Sequence, residues 1–135
     1  MREPRDCFHL AVPVFDLGEA QDFYVGGLGC KLARRYEDRI TLDFFGDQLV
    51  CHLIEREGSE VRPTSIYPRH FGVTFLKEED FVSLHNLCVL RRLPFFSDVS
   101  SRFEGRAEEH QSFALTDPSW NLIEFKHYDD PRMMY

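Results

Sequence analysis

The chain has 135 residues, of which 43% are hydrophobic and 29% charged, with 13 Phe among them. That length predicts one domain burying roughly two-thirds of its unfolded surface, and the composition excludes a disordered or collagen-like chain. A formal charge of −7, from 16 Lys and Arg against 23 Asp and Glu, argues against a nucleic-acid partner, since such proteins present a basic face.

In chain order, Cys7–Val14 reads as a strand. Asp16 then stands as an N-cap with Glu19 three positions on, the pattern of a capping box. Ala20, Phe23, Tyr24 and Leu28 give the apolar stripe of a short helix, and Gly26, Gly27 and Gly29 end it. Lys31–Tyr36, Ile40–Phe45 and Gln48–Ile54 read as three strands, with turns at Glu37-Asp38 and Gly46-Asp47. Residues 55–68 are polar, with Gly58, Pro63 and Pro68, and form a connector.

The second half starts with a strand over His70–Phe75. A helix over Lys77–Leu90 follows, burying Phe81, Leu84, Leu87 and Cys88. Glu78, Glu79 and Asp80 suit its N-terminus and Arg91-Arg92 its C-terminus, and Pro94 forbids its continuation. Phe95–Val99 is a short strand, 100–110 a polar loop, and Gln111–Thr116 with Asn121–Tyr128 the last hairpin. Residues 129–135 form a tail. The opening Met1–Asp6 has no apolar stretch behind it of the signal-peptide kind, and no apolar run reaches the ~18–20 residues of a membrane span. A soluble, cytoplasmic protein without a membrane partner is therefore expected. Cys7, Cys30, Cys51 and Cys88 form no C-x-x-C pair, and three sit in apolar runs, which predicts free, mostly buried thiols rather than a disulfide framework.

The order β-α-β-β-β occurs twice. Phe8-His9-Leu10-Ala11-Val12 matches Arg69-His70-Phe71-Gly72-Val73, and Leu49-Val50-Cys51-His52 matches Asn121-Leu122-Ile123-Glu124. His9, His52, His70 and Glu124 thereby fall at matched strand positions of the two halves. A carboxylate inside Leu122-Ile123-Glu124-Phe125 is costly if buried and unpaired. Metal coordination satisfies it; the alternatives are an exposed strand residue, or one paired with Lys126 or Arg102. Two imidazoles and one carboxylate with open positions suit Fe(II) and other first-row divalent metals.

On Phe8–Val14, Ala20–Tyr24 with Gly27-Leu28-Gly29, His70–Val73 and Asp117–Lys126, the chain resembles the vicinal oxygen chelate superfamily of glyoxalases, bleomycin-resistance proteins and extradiol dioxygenases. The resemblance covers about residues 6–128. Leu42–Leu53 and Arg102–Gly105 resemble small bacterial proteins taken for extradiol-type dioxygenases. The resemblance implies one α+β domain of two βαβββ modules, 6–54 and 69–128, whose curved mixed sheets enclose a metal-binding cavity. It implies His9, His70 and Glu124 as metal ligands, with His52 in the place where glyoxalase-type members supply a fourth. It also implies a divalent cofactor, Fe(II) favoured over Mn(II), Ni(II) or Zn(II), and a homodimer acting on a small molecule and O2.

Three ligands leave room for a catecholate and O2, as in a dioxygenase. Four suit the enediolate chemistry of lyases and isomerases. A ligand-binding protein without catalysis is the third alternative, and the retained ligands argue against it. His52 or His110 would move protons. Phe44 and Phe103 are candidates to line the substrate pocket, and Arg102 or Arg106 to meet a substrate carboxylate. Extradiol enzymes also place a Tyr and a His near the substrate; His110 and His127 are the stand-ins here, both expected to face solvent. Trp120 departs from the family, which usually has Gly there, and a positive φ is unfavourable for Trp.

Overall fold

The computed structural model describes residues 3–135. The chain divides into two compact units, the first ending at Val61 and the second beginning at Arg62, so the division falls inside the expected connector. Each unit is a four-stranded mixed sheet with a helical segment after its first strand, the βαβββ order expected from the sequence, and the second unit ends in a short 3-10 helix over Pro131–Met134.

In the first unit β1 (His9–Val14) leads to α1 (Leu17–Gln21), and β2 (Lys31–Arg35), β3 (Arg39–Phe44) and β4 (Asp47–Leu53) follow. The sheet order is β1-β4-β3-β2, with β1 parallel to β4 and the other pairs antiparallel. The Asp16 carboxylate accepts the Glu19 N–H at 2.8 Å, the cap its sequence announces. The helix differs from the expected one in its second half. From Asp22 to Gly27 it widens into a π-helix, in which the Leu28 N–H reaches the Phe23 carbonyl five residues back. That wider turn lets Phe23, Tyr24, Gly27 and Leu28 all be buried. Gly29 then takes φ +80°, and the Cys30 N–H closes the end on the Tyr24 carbonyl.

The β3–β4 turn sits at Phe45-Gly46, one residue earlier than expected. Both residues have positive φ (56° and 98°), as a two-residue type I′ turn requires. Asp43 Oδ1 accepts the Gly46 N–H and holds it. Strand β2 is exposed along its whole length and carries a bulge between Leu32 and Arg34.

In the second unit the strands are β5 (Phe71–Phe75), β6 (Phe95–Arg102), β7 (His110–Thr116) and β8 (Leu122–His127), in the order β5-β8-β7-β6, with α2 (Glu78–Leu90) between β5 and β6. Helix α2 buries Phe81, Leu84 and Cys88, with Leu87 only half-buried. Phe113, Leu115, Ile123 and Phe125 form the strand side of that core, each fully out of solvent; burying such a side chain contributes roughly 1.5–3 kcal/mol. The helix ends with Arg92 at φ +54°, while the Leu93 N–H reaches the Cys88 carbonyl and the Arg92 N–H the Val89 carbonyl, a Schellman motif with Arg in the place glycine usually takes. Strand β6 continues to Arg102, past the expected end at Val99. Its polar residues pair with β7 through two irregularities, which accommodate a segment that reads as loop.

The turn before β8 keeps a left-handed residue despite its Trp. Trp120 has φ +68°, a conformation costing a non-glycine residue about 1–2 kcal/mol. Buried Asp117 enforces it: Oδ1 accepts the N–H groups of Ser119 (2.9 Å) and Asn121 (2.8 Å), and Oδ2 accepts the Asn121 amide (2.7 Å). Among the described residues no helix is long and apolar enough to cross a membrane.

Two outcomes follow. Asp117→Ala removes the acceptor of three hydrogen bonds, and chemical denaturation should record a loss of about 3 kcal/mol; a loss under about 1 kcal/mol would show that the turn holds without it. The thiols offer a second check. Burial, with Asp43 adding to it, pushes Cys30 up to about 12, and burial pushes Cys88 up to about 11, whereas Cys7 is exposed. At pH 8 a thiol reagent should modify Cys7 rapidly in the native protein and Cys30, Cys51 and Cys88 only after unfolding; rapid native modification of any of those three would contradict the packing.

Candidate metal-binding site

Within the second unit the sequence brings His70 and Glu124 together. Glu124 sits on β8 opposite Gly72 of β5, with its side chain 4% exposed. The strands can pair at this point because residue 72 has no side chain: a β-carbon there would overlap the Glu124 carbonyl group. His70 lies one residue before β5, and its Nε2 stands 3.2 Å from Glu124 Oε2. Its Nδ1 is 2.8 Å from the Ile66 carbonyl oxygen. A carbonyl only accepts, so Nδ1 carries a proton and donates it, and in the neutral ring Nε2 is left with its lone pair. Ile66, at the end of the connector, is anchored by its buried side chain against Ala114 and Leu122. The Tyr67 ring meets the His70 ring edge-on at 5.8 Å.

Two acceptors, Nε2 and Oε2, thus face one another on a carboxylate that is nearly out of water. Such a pair needs a proton or a cation. Lys126 supplies one cation directly, with Nζ 3.1 Å from the same Oε2, as the pairing alternative for Glu124 anticipated. The donor set, an imidazole with its second nitrogen tied to a carbonyl beside a carboxylate, also fits a divalent metal ion.

The first unit holds His9 and His52 on one face of its sheet, both exposed. Strand register corrects the matching of the two halves. His9 pairs with Gln48 and Ala11 with Val50, while Gly72 pairs with Glu124. With His9 equivalent to His70, the equivalent of Glu124 is Val50, and His52 corresponds to Lys126. The local match of apolar runs concealed a slip of two residues, which strand alternation tolerates because it preserves the face. His9 and His52 are therefore four residues apart along paired strands, about 13 Å at ~3.3 Å per residue.

Three further expectations change. His110 and His127 are each only 6% exposed, not solvent-facing. His127 shares the alternation of Phe125 and points to the helix side, with its ring 6.3 Å from Phe81 and Nδ1 3.1 Å from the Phe75 carbonyl oxygen. His110 lies on the Glu124 face, covered by Tyr128 at 4.5 Å and Phe103 at 5.8 Å. Phe44 faces the helix side of the first sheet, buried beside Tyr24 at 6.4 Å, and belongs to the core instead of a pocket. Phe103 stays largely exposed at the end of β6, and Arg102 pairs with His110 in register. Among the described residues no three His, Cys, Asp or Glu side chains gather into one metal-binding group; the preformed part is the pair His70–Glu124. Sequence reading missed the role of the Ile66 carbonyl, which a backbone group leaves unsigned, and that of Gly72, whose position two residues after His70 was the available signal.

The sequence profile of the glyoxalase/bleomycin resistance protein/dioxygenase superfamily matches residues 7–125. A crystal structure of a glyoxalase/bleomycin resistance protein/dioxygenase from Alicyclobacillus acidocaldarius is 63% identical over 100% of both chains, with a TM-score of 0.92. Two remoter structures share the fold alone. A fosfomycin resistance protein from Listeria monocytogenes is 13% identical, covering 96% of this chain and 98% of its own, at a TM-score of 0.70. A lactoylglutathione lyase from Agrobacterium tumefaciens is 14% identical, covering 93% and 96%, at 0.68. No curated protein matches the chain.

Gly72→Ala tests how the pair is built. The β-carbon meets backbone, which cannot swing aside, so β5 and β8 must part. A loss of about 3 kcal/mol in denaturant melts is expected, with a changed chemical shift of the His70 ring. A variant as stable as the parent would show that the strands have slack at this point.

Proposed function

The chain belongs to the glyoxalase/bleomycin resistance protein/dioxygenase superfamily, and from that premise we propose that it is a divalent-metal-dependent enzyme, a dioxygenase acting on a small vicinal-diol or catechol-like substrate. The observation that carries the reading is the His70–Glu124 pair, in which one imidazole nitrogen is tied to the Ile66 carbonyl and the other faces a buried carboxylate oxygen at 3.2 Å. His70 and Glu124 would hold the ion, and the resemblance implies His9 as a further ligand. Two imidazoles and a carboxylate favour Fe(II), with Mn(II), Ni(II) and Zn(II) as competitors. When bound, the ion supplies Lewis acidity toward a ligand with two adjacent oxygens.

The chain's own groups have separate tasks. The Ile66 carbonyl fixes the tautomer and plane of His70, so that Nε2 is presented without rearrangement. Glu124 contributes negative charge where water is scarce, which strengthens its attraction for a cation. Lys126 compensates that charge in the metal-free protein. His52, displaced by register from the position equivalent to Glu124, serves as a proton carrier on the open face of its sheet. That register favours three ligands over four, and hence the dioxygenase over the lyase or isomerase. The same reading takes the protein as a cytoplasmic homodimer whose partners are a small substrate and O2.

The test is an anaerobic titration of chelator-stripped protein with Fe(II), Mn(II), Ni(II) and Zn(II), alongside Glu124→Gln and His52→Ala. One ion per chain is expected, weakened more than about 100-fold in Glu124→Gln and less than about threefold in His52→Ala. Oxygen uptake with catechols is then measured on the Fe(II) form. Absence of binding would overturn the metal reading, and a large loss in His52→Ala would move the assignment to lyase or isomerase chemistry.

A further inference from the structure

At the other end of the Glu124 face lies a cation, Arg102, whose buried Nε has no partner among the described residues. The register Ala114↔Glu124 puts the alternating residues Ala114, Ser112 and His110 of β7 on that face, and Arg102 pairs with His110. Arg102 Nε is buried and has no hydrogen-bond partner. A guanidinium stays charged at any ordinary pH, and a buried N–H without an acceptor costs about 1–3 kcal/mol. Folded proteins leave few such groups, and each calls for an explanation such as a bound ligand.

The loop after β6 had acidic side chains to offer and does not use them here. Glu109 Oε2 accepts the Gly105 N–H at 2.9 Å and so closes the loop on itself. Among the described residues no carboxylate pairs with Arg102. Between the two ends of the face, Lys126 already pairs with Glu124, which leaves Arg102 without an ion pair among the described residues. Its register partner His110 and its chain neighbour Phe103 are ring residues. His110 commits Nδ1 to the Glu108 carbonyl at 2.8 Å, and its ring packs on Tyr128 and Phe103. A planar cation with an unpaired N–H, close in register and sequence to aromatic rings, matches a carboxylate attached to an apolar or aromatic body.

We propose that Arg102, which lies opposite His110 in register and next to Phe103 in the chain, is a carboxylate-binding subsite, so that the substrate is a small organic acid with its carboxylate at this end and its paired oxygens toward Glu124. About 13 Å of extended chain separates the level of Tyr128 from that of Glu124, a span that the length of an arginine side chain and the body of the acid together would cover. The substrate class rests on the metal-enzyme reading of the Glu124 end; the anion site itself does not.

The test compares 3,4-dihydroxyphenylacetate with its neutral amide by anaerobic calorimetry, on Mn(II)-loaded and on metal-free protein, in wild type and Arg102→Gln. Wild type should bind the acid at least tenfold more tightly than the amide, and Arg102→Gln should bring that ratio near one while leaving Mn(II) affinity unchanged. A ratio near one in wild type, failure to bind either compound, or a ratio that survives Arg102→Gln would overturn the proposal. Thermal melts of metal-free protein add a readout that needs no ligand. Arg102→Gln should melt at or above the wild-type temperature, because an unpaired buried group is gone, whereas a fall of several degrees would make Arg102 a structural residue and overturn the assignment. If wild type fails to take up Mn(II) yet prefers the acid in metal-free form, the metal reading falls and the anion site stands.

Discussion

A carboxylate can leave water only in company, and most of the second unit's local design follows from providing that company for Glu124. Gly72 permits the parallel contact of β5 with β8 that carries the residue inward. The buried Ile66 side chain pins the connector so that its carbonyl can hold the His70 ring. Lys126 lies two residues along the same strand, hence on the same face, and reaches back to the same oxygen. Each of these groups has an alternative that would be cheaper in isolation: a side chain at 72, a solvated ring at 70, an extended lysine at 126. Together they hold a negative charge ready in a place where it attracts a cation strongly.

The two halves share a scaffold and not a chemistry. Each has a parallel outer pair, an antiparallel inner pair and a helical segment on one side. Yet Ala11 stands where the second half has Gly72, Val50 where it has Glu124, and His52 where it has Lys126. The first sheet closes with a β-carbon at that level, whereas in the second a β-carbon at 72 would meet the Glu124 backbone. Duplicated architecture therefore does not entail duplicated ligands, and His52 has to be judged on its own surroundings.

The order of elements was legible because helix and strand periodicities differ and because Gly, Pro and Asp mark the boundaries. The Asp16 cap and the Phe81–Cys88 stripe of α2 show this directly. Three features were not legible, each for a physical reason. Register along a strand is invisible to apolar matching, because a shift of two residues keeps every side chain on its face, and so His52 appeared to match Glu124. The depth of a polar residue depends on what covers it: His110 lies under Tyr128 and Phe103, and His127 shares the helix side with Phe125. Turn geometry can override residue preference, as at Trp120, where three hydrogen bonds to Asp117 hold a left-handed conformation that the side chain alone would avoid. Phe44 shows the opposite hazard, since nothing in an isolated Phe distinguishes a pocket wall from a core.

The bulged outer strands have a consequence for how the molecule behaves at high concentration. An unpaired strand edge is a template on which another chain can extend the sheet, the first step toward ordered aggregates. Strand β2 meets that hazard with Lys31, Arg34 and Arg35 in a five-residue strand and a bulge at its middle. Strand β6 meets it with two breaks in register and three serines among its eight residues. A straight strand laid along either edge would lose step with it within a few residues, and along β2 it would also meet a row of positive charge. The irregularities that make these strands hard to read in the sequence thus act as guards against self-templating.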